Sequence, residues 1–292
     1  MVSAPHAGSI VKADSAAQLA SMIYNIPIRL LEAYRGRQLI VRSYLPWRLT
    51  LGLSEYDLKH VSFVQLLSLE AEMNGLIHWA PNLPIELVMQ KPVNELPLLY
   101  RHARLLDNHP VRVLIPVVSG FSQAVKLALS LNFAVKLESV QPSAALLTEL
   151  SSVLDLYLHR ATVAQPVEFF HSLFLSLYNR VPASIWEIQE EDPSQVRYIK
   201  EDGTETVSPR FTNFMLEGDL SDFIPHFQHE LLATGTECTD CEFFSSCGGY
   251  FKWPNPEFSC DGVQNLLGTV RAAADELRED LQTYASAGGL RS

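Results

Sequence analysis

Cysteine is missing from the first 237 residues of this 292-residue chain. Positive charge is scarce as well: 22 Lys and Arg stand against 33 Asp and Glu, for a net charge of −11. No apolar run approaches the roughly 18–20 residues of a membrane span. The opening stretch, MVSAPHAGSIVKADS, lacks the charged-then-apolar pattern of a secretory signal. Each absence excludes something. A nucleic-acid binder that neutralises phosphates needs a basic surface, so no nucleic-acid partner is expected. No membrane partner is expected either, and a cytoplasmic location, where thiols stay reduced, follows from the missing signal. Internal repeats and low-complexity tracts are also absent. What is there is an ordinary globular composition, 47% hydrophobic and 19% charged. The length suffices for a large core in one or two domains.

All the cysteine is concentrated near the C-terminus, at Cys238, Cys241, Cys247 and Cys260. Four thiols so close together, led by a C-x2-C pair, read as one tetrathiolate metal site. Cys238 and Cys241 place two sulfurs on one centre through a tight turn, and Cys247 and Cys260 complete the set. Gly248 and Gly249 follow Cys247, where backbone passing close to the centre calls for φ > 0. Pro254 and Pro256 stiffen the return loop. Two disulfides, four unrelated cysteines, a structural zinc and an iron–sulfur cluster all remain open on the residues alone; zinc and the cluster both take four thiolates.

Along the rest of the chain, the period of the apolar residues alternates. A helix is expected from Ser15 through Leu19, Met22 and Ile23, another over Ile28–Tyr34, then a strand over Gln38–Tyr44. Ser54 caps a helix that continues through Val61, Val64, Leu67 and Leu69 to about Asn74. The middle is clearest: strands at Ile85–Met89, Val111–Val118 and Ala134–Glu138 alternate with helices at Glu95–Leu106, Phe121–Leu131 and from Ser143. That is the signature of βαβ units on a parallel sheet. Strand carboxyl ends, where such sheets place ligands, present Gln90, Lys91, Ser119, Glu138 and Ser139. Lys136 and Glu138 point to one side of their strand, a structural ion pair by ordinary expectation. Further on, Pro166–Tyr178 reads as a helix and Ser184–Gln189 as a strand. Glu190, Glu191 and Asp192 read as a solvated turn. Val196–Ile199 and Glu205–Ser208 form a hairpin, and Phe211–Glu217 a further strand. Phe223–Leu232 is a helix carrying His226 and His229, whose i, i+3 spacing is not that of a zinc protease. Asn265–Tyr284 is a long amphipathic helix.

The spacing C-x2-C-x5-C of Cys238, Cys241 and Cys247, with Cys260 as the last ligand, resembles the SPASM domain. That domain is the auxiliary-cluster module of radical SAM peptide-modifying enzymes. The resemblance covers about 25 residues. It implies a [4Fe–4S] cluster on Cys238, Cys241, Cys247 and Cys260, with zinc as the alternative. The family's fourth cysteine position is Phe251 here. The C-x3-C-x2-C motif that binds the S-adenosylmethionine-cleaving cluster is also missing, so no S-adenosylmethionine and no self-sufficient radical catalysis are expected. The fold implied is α/β: a partial β/α, TIM-like barrel with a small C-terminal SPASM-like domain. It would divide into an N-terminal α/β region (1–84), βαβ units of the barrel (85–190) and the metal-binding domain with its C-terminal helix (191–292). The function implied is that of an accessory protein in ribosomal peptide modification, binding a precursor peptide, a modifying enzyme, or both. Tyr250, Lys252 and Trp253, with Phe251, form the loop expected to grip the peptide. For Phe251 and Trp253 a role as shielding core competes with that. A structural four-cysteine zinc protein, or an iron–sulfur enzyme with a second, unidentified site, would carry the same motif; no catalytic residue is assigned.

Overall fold

The structure, a computed structural model, describes residues 22–211 and 219–286. Its frame is one nine-stranded sheet: β1 (Ile23–Pro27), β2 (Gln38–Ser43), β3 (Val61–Leu66), β4 (Ile85–Val88), β5 (Val111–Pro116), β6 (Ala134–Glu138), β7 (Val167–Glu168), β8 (Val196–Ile199) and β9 (Glu205–Thr206). β1 to β7 lie side by side in chain order, all parallel. β8 then returns to the far side of β1, also parallel, and β9 pairs antiparallel outside it. The sheet is open, with β7 and β9 as its edges. Parallel strands that step one way through right-handed crossovers carry their connections on one face. The helices of ten residues or more are α1 (Phe121–Ser130), α2 (Ala144–His159), α3 (Phe170–Asn179), α4 (Phe223–Ala233) and α5 (Asp261–Ser286).

Strand alternation separates the two faces chemically. Leu39, Val41, Val64, Leu66, Leu87, Val113, Ile115, Val135 and Leu137 are buried on the covered face, against the helical layer. The other face carries Asn25, Arg42, Gln65, Glu86, Arg112 and Lys136, and these polar residues are largely buried too. The reason is curvature. A single cavity is lined by Asn25, Arg42, Gln65, Val88, Leu114, Lys136 and Tyr198, a residue from each of β1 to β6 and from β8. The sheet therefore wraps around its polar face.

The parallel strands of the middle region stand as expected, and the sheet also takes in strands on either side of it. Ile23 belongs to β1, not to a helix begun at Ser15; residues 1–21 lie outside the described region. β1 sits between β2 and β8, so both of its edges are paired, and four of its five residues are buried. The helix from Ser54 is a single turn, Glu55–Leu58, closed by a Ser54–Asp57 capping box. Val61, Phe63 and Val64 then leave it for β3, because β-branched and aromatic residues pair well between two strands. β7 precedes α3 where one helix was expected. Ser184–Gln189 is a one-turn helix, Ile185–Ile188, with a Ser184–Glu187 capping box. The strand expected at Phe211–Glu217 falls mostly outside the described residues; Phe211 itself ends a 3₁₀ turn.

Candidate metal centre and interior pocket

The segment 236–261 folds as a series of short turns pressed against longer elements. Cys238 lies in a 3₁₀ turn, Glu237–Asp240, and Cys241 follows it. Cys247 ends the one-turn helix Phe244–Cys247, which Gly248 terminates in the left-handed region, φ 55°. Gly249 continues at φ 75°. Neither position has room for a side chain. A Cβ on Gly248 would stand 2.5 Å from Gln228 Nε2, and one on Gly249 would overlap Leu231 Cδ1, both on α4. The indole Nε1–H of Trp186 donates to Gly248 O at 3.0 Å and holds the turn from the other side. Cys260 is the last residue before α5, so its sulfur sits at the positive end of a long helix dipole.

All four cysteines line one small cavity of about 20 Å3, closed by Phe243, Phe244, Val263 and Leu267. None is in a disulfide. Burial raises the Cys238 thiol and pushes that of Cys247 up to about 11, with the neighbouring Cys238 adding to the rise. Burial raises Cys260 further, against the pull of the Lys252 ammonium. Burial therefore favours the protonated form of Cys238, Cys247 and Cys260. Among the described residues, no group of three or more His, Cys, Asp and Glu side chains already stands in metal-holding geometry. The four thiols share one cavity, and in number and kind they are the donor set of a four-thiolate centre.

Glu237 ties this segment together, and nothing in the cysteine spacing singled it out. Its Oε1 accepts from the backbone N–H of Cys260 at 2.9 Å and from Lys252 Nζ at 2.5 Å. It therefore joins the first cysteine turn to the last. The histidines expected on α4 play no part here: His226 and His229 are exposed and do not line the cavity.

The loop expected to grip a peptide is interior. Tyr250 is 1% exposed and Lys252 4%. Trp253 stacks on Phe211 at 4.9 Å and meets Phe223 edge-on at 5.1 Å. Phe251 packs against Phe169. The aromatic run covers apolar surface, and the Lys252 ammonium is spent on Glu237 and the Phe258 carbonyl.

The second site is the cavity inside the curved sheet, about 290 Å3, toward the carboxyl ends of the strands. A hydrogen-bonded chain of polar residues runs from its floor toward the amino ends of the strands, where Glu86 and Arg112 line a separate cavity. Arg42 Nη1 donates to Asn25 O at 2.7 Å, and Asn25 Nδ2 to Gln65 Oε1 at 2.9 Å. Gln65 Nε2 donates to Glu86 Oε1 at 2.6 Å, and Arg112 pairs with Glu86 Oε2. Arg112 Nη2 reaches both oxygens of Glu190, at 2.7 and 2.8 Å, and Lys136 Nζ reaches Glu190 Oε2 at 2.8 Å. Glu190, expected in a solvated turn, is thus the hub of an ion-pair network. Burial pushes its carboxyl up, but Lys136 and Arg112 outweigh burial and hold it below its ordinary 4.5. Glu191 is buried as well, 2.6 Å from Arg210 Nε in an ion pair without hydrogen-bond alignment. The partner of Lys136 is therefore Glu190 and not Glu138.

Compared with known family models, characterised proteins and solved structures, the chain matches none.

Proposed function

We propose that the chain is an accessory protein of ribosomal peptide modification, a relative of barrel-plus-SPASM enzymes that carries one [4Fe–4S] cluster on Cys238, Cys241, Cys247 and Cys260. On this reading the sheet is a partial β/α barrel, and the protein works in the cytoplasm, where unbridged thiols persist. The observation that carries the reading is the single small cavity lined by all four cysteines. Bound there, the cluster supplies one-electron transfer. The chain's own residues do the rest. The four sulfurs anchor the centre, Lys252 balances negative charge beside them, and Phe243, Phe244 and Leu267 exclude water. A centre with four cysteine ligands leaves no open iron, so the role is to relay an electron or to dock a catalytic partner rather than to transform substrate. With Tyr250 and Lys252 buried, the precursor peptide or modifying enzyme is taken by another surface. Tyr44, Trp47 and Leu51 are large, apolar and exposed, and offer one.

Zinc is the second reading, because a tetrathiolate opened by C-x2-C suits a tetrahedral structural site equally. Metal analysis decides between them. The protein is purified anaerobically and assayed for iron, sulfide and zinc, with a visible spectrum. About four irons and four sulfides per chain, with broad thiolate-to-iron absorption, are expected. One zinc without iron would remove the electron-relay role and leave the cysteines as a staple.

A further inference from the structure

The interior cavity contains groups that the ion-pair network leaves unused. Arg42, Asn25, Gln65, Glu86, Arg112, Glu190 and Lys136 satisfy one another. Glu138, on the last residue of β6, stands outside that chain. Among the described residues no hydrogen bond or ion pair within 4 Å reaches its carboxylate. Lys136 is near enough to be felt electrostatically, but its ammonium is committed to Glu190 and the Gln189 carbonyl. Glu191, Glu86 and Arg210 also act on Glu138, and the two carboxylates oppose its charge. Ser208 lines the same cavity, is 3% exposed, and its hydroxyl has no partner among the described residues. A buried hydroxyl left unmatched costs free energy, so a group that completes it is favoured.

These unused groups have a common character. A carboxylate only accepts hydrogen bonds at neutral pH, and a hydroxyl rotates to accept. The complementary ligand brings donors and positive charge. The walls above the network are apolar: Ile40, Val88, Leu114 and Val196. The mouth is open at Tyr44 and Gln90, both exposed. A volume of about 290 Å3 lies at the lower end of small-molecule pockets, roughly 300–1,000 Å3, and suits a group of side-chain size.

We propose that this cavity binds a protonated primary amine with an apolar stem, its ammonium held by the Glu138 carboxylate and the Ser208 hydroxyl. Such a group is carried by a free alkylamine or by a lysine side chain of a peptide. The proposal is independent of any metal at the cysteines and stands or falls separately from it.

The test is calorimetric titration of the full-length protein. The probes are n-pentylamine against n-pentanol, and acetyl-Gly-Lys-Gly-amide against its norleucine counterpart. At least one amine is expected to bind about tenfold or more tightly than its neutral counterpart, the range of a charge-assisted hydrogen bond. Tighter binding of pentylamine assigns a free ligand, and tighter binding of the lysine tripeptide assigns a peptide side chain. Glu138→Gln keeps the shape and removes the charge, and is expected to abolish the preference for amines. Because Glu138 supports no neighbour by hydrogen bonding, the thermal midpoint should not fall. Ser208→Ala should weaken amine binding by a smaller factor, about threefold, and provides a second reading if the first variant does not fold. The proposal is overturned if no amine binds at millimolar concentration, if neutral counterparts bind as well, or if E138Q binds amines like the wild type.

Discussion

The cysteine cavity and the interior pocket are built in opposite ways. Within one short stretch, residues 238–260, the chain supplies every sulfur of the first, and local turns at Gly248 and Gly249 bring them together. The second draws its residues from β1 to β6, β8 and the segments beyond, more than 180 positions apart from Asn25 to Ser208. A local site is announced by spacing, because few residues separate its ligands. A distributed site is announced by nothing in the sequence beyond isolated polar residues in strands. The two also differ in electrostatics. In the cysteine cavity, burial raises the thiols of Cys238, Cys247 and Cys260. The interior network instead sets Glu86 and Glu190 against Arg112 and Lys136 in ion pairs.

The contrast can be broken or sharpened by experiment. The largest effect belongs to Cys247→Ser, which should eliminate bound metal altogether while leaving amine binding in the interior pocket unchanged. Metal retained at full stoichiometry would show that the four cysteines are not one site. For structural zinc, binding contributes on the order of 10 kcal/mol to folding, so 237–260 should also become sensitive to protease in this variant.

Next comes Glu86→Ala. This residue is wholly buried between Gln65 and Arg112. Removing it takes away one of the two carboxylates that hold Arg112 and leaves the Gln65 amide without its acceptor, which typically costs about 1–3 kcal/mol. Urea denaturation measures this, and a loss under about 1 kcal/mol would mean that the network does not hold the pocket floor. Gly249→Ala should cost about 1–3 kcal/mol, from left-handed strain and the contact with Leu231. It should also speed the reaction of the cysteines with a thiol reagent in the metal-free protein. Unchanged labelling would separate the glycine turn from the cysteine geometry.

The smallest effects are the titrations. Glu190 has a depressed carboxyl, so its stabilising contribution is complete above about 4.5 and is lost as pH falls through its lower folded value. Glu138 behaves with the opposite sign. Burial first, then Glu191, raises its carboxyl, so its ionisation opposes folding as pH rises above its ordinary value of 4.5. Glu138→Gln should therefore flatten the stability profile on the neutral side, whereas Glu190→Gln should destabilise there. Identical pH profiles for the two variants would contradict these environments.

Much of the frame was legible in the chain. The alternation of strand and helix over 85–160 carries its own period, and the parallel register follows. The strands that look helical in the sequence share one cause. β1 and β3 lie between neighbouring strands, and there tertiary pairing overrides a local pattern that also suits a helix. The helix at Ile185–Ile188 carried a readable signal in its S-x-x-E capping box, Ser184 to Glu187. Glu190 carried none. Three acids in a row look solvated until a curved sheet sets Lys136 and Arg112 against the first of them.

The sequence by itself determined the four thiols, their spacing, the two glycines beside them and the parallel units of the middle. Each of these depends on residues close enough in the chain to act on one another directly. Only the tertiary structure decided that Tyr250 and Lys252 point inward, that Glu237 joins the first cysteine turn to the last, and that Glu138 and Ser208 face one cavity without partners among the described residues. Burial and charge pairing are properties of what surrounds a side chain, and those surroundings exist only once distant strands have come together.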